Sequence, residues 1–201
     1  MTASAYTARY LEEAALICRL IDQQQIDAIV EALAEVRAAG GRVFVLGVGG
    51  GAANASHAVN DFRKIVGIEA YAPTDNVAEL TARVNDDGWE TVFERYLRVS
   101  HLSARDLVFV LSVGGGDRAR NVSANIVAAL EAALAASARI VGIVGRDGGY
   151  TRQVADAAVV VPTVSADTVT PHTEAFQTVI WHLIVSHPRL RANEMSWESR
   201  Q

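Results

Sequence analysis

Arg42-Val43-Phe44-Val45-Leu46-Gly47-Val48-Gly49-Gly50-Gly51 reads as a short apolar strand running straight into a glycine turn, with a helix expected from Ala52 to Lys64 behind it. The unit recurs: Leu107-Val108-Phe109-Val110-Leu111, then Ser112-Val113-Gly114-Gly115-Gly116-Asp117, then a helix expected from Arg118 to Ala136. A third strand, Arg139 to Val144, leads into Gly145-Arg146-Asp147-Gly148-Gly149, and Ala157 to Val161 and Ile68 to Tyr71 supply two more. Strands that are apolar throughout are covered on both faces, as in parallel sheets. Strands alternating with helices predict a three-layer, doubly wound α/β domain of about five parallel strands. Two helices, 6–22 and 23–39, precede the first strand. In the second, Ile26, Ile29, Val30, Leu33 and Val36 recur at helical spacing, and Gly40 and Gly41 end it. The expected layout is one domain over 1–201: N-terminal helices (1–40), an α/β core (41–188) and a polar tail (189–201) that includes Arg189, Arg191, Glu194 and Glu198. That tail is expected to fray or to serve a subunit contact.

Composition narrows the partners. Half of the 201 residues are hydrophobic, 20% are charged and the formal net charge is -5, so the chain is an ordinary folded domain. Without a basic stretch it is a poor direct ligand for nucleic acid. A local anion site needs no net charge, because backbone amides can hold a phosphate. The single cysteine, Cys18, forms no intrachain disulfide, which fits a reducing cytosol. Its apolar neighbours Leu16, Ile17 and Leu20 place it in the core. Met1 to Tyr10 lacks the pattern of a signal peptide, and no apolar run reaches the ~20 residues of a membrane span. A cytoplasmic, membrane-independent protein is expected.

Each glycine turn joins a strand's carboxyl end to a helix. In open α/β sheets ligands bind there, and the helix N-terminus favours an anion. Two such turns can line one pocket; the plainer alternative is a pair of tight connections. Gly47, Gly49 and Ala52, with Glu69 further on, also satisfy the dinucleotide template G-x-G-x-x-G/A, which is kept as a minor alternative.

Longer segments carry more. Gly47-Val48-Gly49-Gly50-Gly51-Ala52-Ala53-Asn54-Ala55-Ser56-His57 resembles G-N-G-G-S-A-A-[DN]-A-Q-H of the phosphoheptose isomerases. Thr74-Asp75-Asn76 and the stretch from Leu80 to Trp89 resemble that family's T-D and L-T-A-x-x-N-D-x-G-[FW]. The stretch from Val141 to Gly149 resembles [VL]-x-L-T-G-R-D-G-G, and Glu174 and His182 fall where the family carries a Gln and a His on its last helix. The matches run in order over roughly residues 40 to 185.

The resemblance implies the sugar-isomerase (SIS) fold and an aldose–ketose isomerase acting on sedoheptulose 7-phosphate, a phosphorylated sugar of the heptose class. It further implies a homotetramer with active sites shared between subunits. It places substrate-binding positions at Val48, Gly49, Gly50, Gly51, Asn85, Asp86, Ser112, Val113, Gly114, Asp117 and Glu174. It implies a zinc site at His57, Asp61, Glu174 and His182. His57 and Asp61, four apart on one helix, share a face, and two imidazoles with two carboxylates suit zinc; alone, such a pair is a surface ion pair. Isomerisation needs a base for the carbon-bound proton and an acid for the oxygens. Asp61 or Glu174 is expected as base and His182 as acid, with His57 as ligand or orienting residue.

Three departures matter. The family's glutamate is Asp61, shorter by a methylene. Its glutamine is Glu174, which adds a charge. Its S-T-S-G-N-S phosphate loop is Ser112-Val113-Gly114-Gly115-Gly116-Asp117, and its first-turn serine is Gly51. Asp117 is expected to cap a helix, with Arg118 or Arg120 supplying positive charge instead. Two alternatives to the enzyme follow: a non-catalytic SIS scaffold or regulator of the kind that binds a replication initiator, and an isomerase of another phosphosugar. His172 and His187 flank the last helix, His172 as a loop residue near the pocket and His187 at the helix C-terminus; His101 is expected to be exposed.

Overall fold

The computed structural model describes residues 2–193. Helices α1 (Ala3–Leu20) and α2 (Gln23–Ala38) lead into β1 (Arg42–Gly47) and α3 (Gly50–Asp61), then β2 (Glu69–Tyr71), α4 (Val77–Asp87) and α5 (Val92–Val99). Next come β3 (Leu107–Ser112), α6 (Ala124–Ala135), β4 (Arg139–Val144), α7 (Gly149–Val154), β5 (Ala157–Val160) and α8 (Val169–Ser186). The five strands pair in parallel in the order β2-β1-β3-β4-β5. This is the three-layer, doubly wound sheet the alternating pattern predicts.

Strand side chains alternate between two cores. Val43 and Val45 of β1 join Leu107, Phe109 and Leu111 of β3 under α2, α3 and α8. Phe44 and Leu46 join Val108 and Val110 under α5 and α6. Every periodic position named in α2 is buried, and Gly40 beyond it takes a positive φ of 63°.

Asp106 fixes the start of β1. It accepts from the Arg42 backbone N–H at 3.0 Å, from Arg42 Nε at 3.1 Å, and from the backbone N–H and hydroxyl of Ser103. Burial pushes this carboxyl upward, but the bonds from Arg42 and Ser103 outweigh it and hold the group below its ordinary value.

Several expectations are corrected. The helix expected from Arg118 begins at Ala124: Asp117 accepts the Arg120 N–H at 2.8 Å, and Asn121 and Ser123 have φ of 55° and 50°. A side chain bonding its local backbone competes with the helix, so Asp117 closes a turn and caps no helix. The helix after the first glycine run starts earlier, at Gly50, and passes into a π-helical turn, Phe62–Val66, directly after Asp61. Cys18 is exposed, not in the core, because α1 buries only Glu13 and Ile17. His172 lies within α8, not in a loop, with its Nε2 3.0 Å from Glu13 and its ring stacked on Tyr10. His187 caps the end of α8 and His101 is exposed, as expected.

Residues 189–193 pack back onto the domain. Leu190 is buried, Ala192 and Asn193 donate to the Ile65 carbonyl, and Arg189 pairs with Glu31. Glu194 and Glu198 lie outside the described residues. Among the described residues, no helix is long and apolar enough to cross a membrane.

Candidate functional site: a glycine-turn cavity and a histidine–aspartate group

The strand order reverses between β1 and β3, and Gly47 pairs with Leu111 at their carboxyl ends. The helices that follow leave on opposite faces, α3 toward one core and α6 toward the other. This switch point opens a crevice where α/β proteins bind ligands. Both glycine turns meet there. Gly49 enters α3 with φ of 59°, a conformation glycine adopts without penalty. A Cβ at Gly51 would overlap the Leu111 carbonyl oxygen, so the backbone of the first turn lies directly on β3.

The second turn is held from behind. Thr151 donates its N–H and its hydroxyl to the Gly115 carbonyl, at 2.9 and 2.7 Å, and Tyr150 N–H donates to Gly116 at 2.8 Å. Ser112, the surviving hydroxyl of this loop, accepts the Gly115 N–H at 3.1 Å.

Between the turns lies a cavity of about 200 Å³, walled by Val48 and Gly51 on one side and by Ser112, Val113 and Gly114 on the other. Helix α8 closes it with Glu174 and Gln177. The Glu174 carboxylate sits over Gly50, where an added Cβ would fall 2.7 Å from Oε1 and closer still to Oε2. Asn54 of α3 ties the helices together: its amide N–H2 donates to the Glu174 carbonyl and to Gln177 Oε1, each at 3.0 Å, and its oxygen accepts from the Thr178 hydroxyl at 2.9 Å. A neighbouring hollow of about 660 Å³ is lined by Asp117, Arg118, Arg120 and Arg146. There the Arg120 backbone N–H and then its guanidinium hold the Asp117 carboxyl below its ordinary value.

The second half of the site lies further along the same helices. His57, Asp61 and His182 offer one ligand atom each, all within 4.8 Å of one another. His57 Nε2 and His182 Nε2 stand 4.0 and 3.9 Å from Asp61 Oδ2. These separations are too long for hydrogen bonds. They approach the spacing of two ligands that share an ion at about 2.1 Å. Asp61 is 2% exposed, and its Oδ2 has no hydrogen-bond partner, while Oδ1 accepts from Asn60 at 2.8 Å. His182 Nδ1 lies 2.9 Å from the Thr178 carbonyl. Since a carbonyl only accepts, Nδ1 carries the proton and Nε2 faces Asp61. Buried Trp181 stacks on His182 with ring centres 3.5 Å apart and meets His57 edge-on at 4.7 Å. A buried carboxylate oxygen left without a donor, facing two imidazoles, is a donor set that fits a divalent cation.

Glu174 stands outside this group, eight positions before His182. Asn85 and Asp86 are exposed on the last turn of α4, bonded to one another, and line neither the glycine-turn cavity nor the histidine group. Glu69 accepts from the Tyr71 hydroxyl on the outermost strand. Asn54 matches the [DN] position of the family segment, to which the resemblance assigns no role, and Trp181 is one aromatic in an apolar helix.

The SIS-domain family model matches residues 9–145. The phosphoheptose isomerase of Rhodospirillum rubrum is 32% identical over 165 residues, spanning 78% of this chain and 82% of that protein. That of Chlorobaculum parvum is 35% identical over 172 residues, spanning 82% and 77%. The solved phosphoheptose isomerase of Neisseria gonorrhoeae superposes with a TM-score of 0.80 at 23% identity, covering 92% of this chain and 98% of that one, and attests the fold. With its strand order, its paired glycine turns and its histidine–aspartate group in place, the chain belongs to the SIS-domain proteins and, among them, to the phosphoheptose isomerase family.

Proposed function

We propose that this chain is an aldose–ketose isomerase of the sugar-phosphate class, with a heptose phosphate as its substrate, as its relatives' names suggest. The observation that carries the proposal is the buried, donorless Asp61 Oδ2 held between the Nε2 atoms of His57 and His182. Moving a carbonyl between C1 and C2 needs a base at carbon and an acid at oxygen. Asp61 Oδ2, buried and without a donor, is the proton acceptor. His182 Nε2, unprotonated in the tautomer that Thr178 sets, takes the proton from one sugar oxygen and returns it to the other. His57, the exposed member of the group, orients the sugar.

The same three side chains are the proposed zinc ligands, and an atom that holds the ion takes no proton, so the proton transfers above belong to the ion-free site. When bound, the ion supplies Lewis acidity and stabilises enediolate charge. Glu174, expected from the family pattern as a fourth ligand and second base candidate, lies over the glycine turns and is assigned neither role.

The full chain as one SIS domain, a cytoplasmic location and a homotetramer with shared sites belong to the same proposal. Exposed Val179 and Leu183 on α8, and Leu11, Leu16 and Leu20 on α1, supply apolar faces for subunit contacts.

The test is incubation with sedoheptulose 7-phosphate in deuterated water, with and without zinc. The expected results are aldose product and deuterium at the exchanged carbon, both lost in His182→Ala. Failure to turn over or exchange under either condition removes the isomerase. The second reading, a non-catalytic SIS binding protein, is favoured by one observation: of the loop hydroxyls in the family pattern only Ser112 remains in this chain. Saturable sugar binding without exchange selects it.

A further inference from the structure

We infer that Trp181 is a positioning residue: its buried indole holds the imidazoles of His57 and His182 toward Asp61, the part that a hydrogen bond plays for most histidine ligands. The inference takes from the proposed function only what the two imidazoles are for; the ring packing stands without it.

The two histidines are restrained unequally. His182 has its Nδ1 fixed at 2.9 Å from the Thr178 carbonyl. His57 makes no hydrogen bond among the described residues, and its side chain is 57% exposed. An exposed side chain without a bond exchanges rotamers quickly, whereas a histidine that binds a metal is ordinarily oriented through its second ring nitrogen. What His57 does meet is aromatic. Its ring stands edge-on to Trp181 at 4.7 Å and to His182 at 5.3 Å, with 85° between the two imidazole planes. Trp181 in turn stacks on His182 at 3.5 Å and 28°. The indole touches both imidazoles and so sets each relative to the other.

Trp181 is itself anchored. It is the largest fully buried side chain among the described residues and belongs to the core under α2, α3 and α8. Just before it on α8, Gln177 and Thr178 are bonded to Asn54, which ties the indole's helix to the one that carries His57 and Asp61. The indole Nε1 is buried without an acceptor. An unpaired buried N–H costs stability, and a leucine or phenylalanine here would avoid that cost. What tryptophan adds is ring area wide enough to meet two neighbours in the stacked and edge-on geometries that aromatic groups favour.

The test compares full-length wild type with Trp181→Phe and Trp181→Leu, using Leu33→Ala, a buried α2 residue of the same core, as the control for lost packing. In the metal-free wild type the His182 ring protons should be shifted upfield by the stacked indole. Their absence from that position overturns the inference without any variant. The His57 ring resonances should broaden or average in Trp181→Leu and stay as in wild type in Leu33→Ala. Zinc affinity, measured by competition with a chromophoric chelator, should fall about 10–100-fold in Trp181→Leu, as for other residues that orient a metal ligand. The fall should be smaller in Trp181→Phe, which keeps a ring, and absent in Leu33→Ala. Unchanged zinc affinity in Trp181→Leu, or an equal loss in Leu33→Ala, overturns the inference; if Trp181→Leu does not fold, Trp181→Phe is judged by the same comparison. A wild type that neither binds zinc nor isomerises sinks the functional proposal, and the metal-free ring resonances still decide this one.

Discussion

Asp61→Asn should raise the stability of the metal-free protein and erase its response to zinc. Asp61 is almost fully buried, and Oδ2 lacks any donor. A buried unsatisfied polar atom costs about 1–3 kcal/mol, more when charged. In the variant an amide N–H2 replaces that oxygen and can donate to His182 Nε2, whose lone pair faces it. For a chain of this length each kcal/mol moves Tm by about 2–4 °C, so the metal-free Tm should rise by roughly 2–12 °C. Zinc at 100 times its Kd would add about 2.7 kcal/mol to wild type, a further shift of roughly 5–11 °C. The variant, without its anionic ligand, should lose that shift, so the order of the two melting temperatures narrows or inverts on adding zinc. The assay is thermal unfolding with a chelator and with zinc. A lowered metal-free Tm together with an intact zinc shift would refute the assignment of Asp61 as a strained ligand position.

Asp106→Ala should cost about 3 kcal/mol at neutral pH, because it removes the carboxylate that pairs with Arg42 and accepts the Arg42 and Ser103 backbone N–H groups. The folded Asp106 pKa is depressed, so its stabilisation is complete above the unfolded value near 3.9 and is lost as pH falls through the lower folded value. Urea unfolding of wild type and variant should therefore converge below about pH 4. Gly51→Ser, which restores the relatives' residue, should destabilise by about 3 kcal/mol or yield insoluble protein, since its Cβ meets backbone at Leu111; an unchanged Tm would mean the turn can retreat from β3.

The strands were legible because burial on both faces leaves uninterrupted apolar runs. Glycine runs at their ends then mark where the crevice opens. Helix boundaries were less legible: nothing in Arg118 to Ser123 announces that Asp117 turns the backbone before a helix can start. The face that α1 buries was not readable either, since apolar residues surround Cys18 and only docking decides which of them are covered. Helices α4 and α5 went undelineated, lacking strong punctuation. In the site, His57, Asp61 and His182 follow from the family pattern, and helical spacing adds only that the first two share a face. Glu174 was grouped with them because a motif names members, not distances. Glu174 lies eight residues, about 12 Å of helix rise, before His182, and its carboxylate is turned to the glycine turns and not to the histidine group.

That interval has a mechanical meaning. Helix α8 carries Glu174 and Gln177 at one station and Thr178, Trp181 and His182 at the next, with Asn54 clamped across the middle. The rod works as a ruler: whatever loops do elsewhere, the gap between the two stations is set by helical pitch. Adding or deleting one residue between them would rotate one station about 100° from the other, so this segment tolerates exchange of side chains far better than any change in its length.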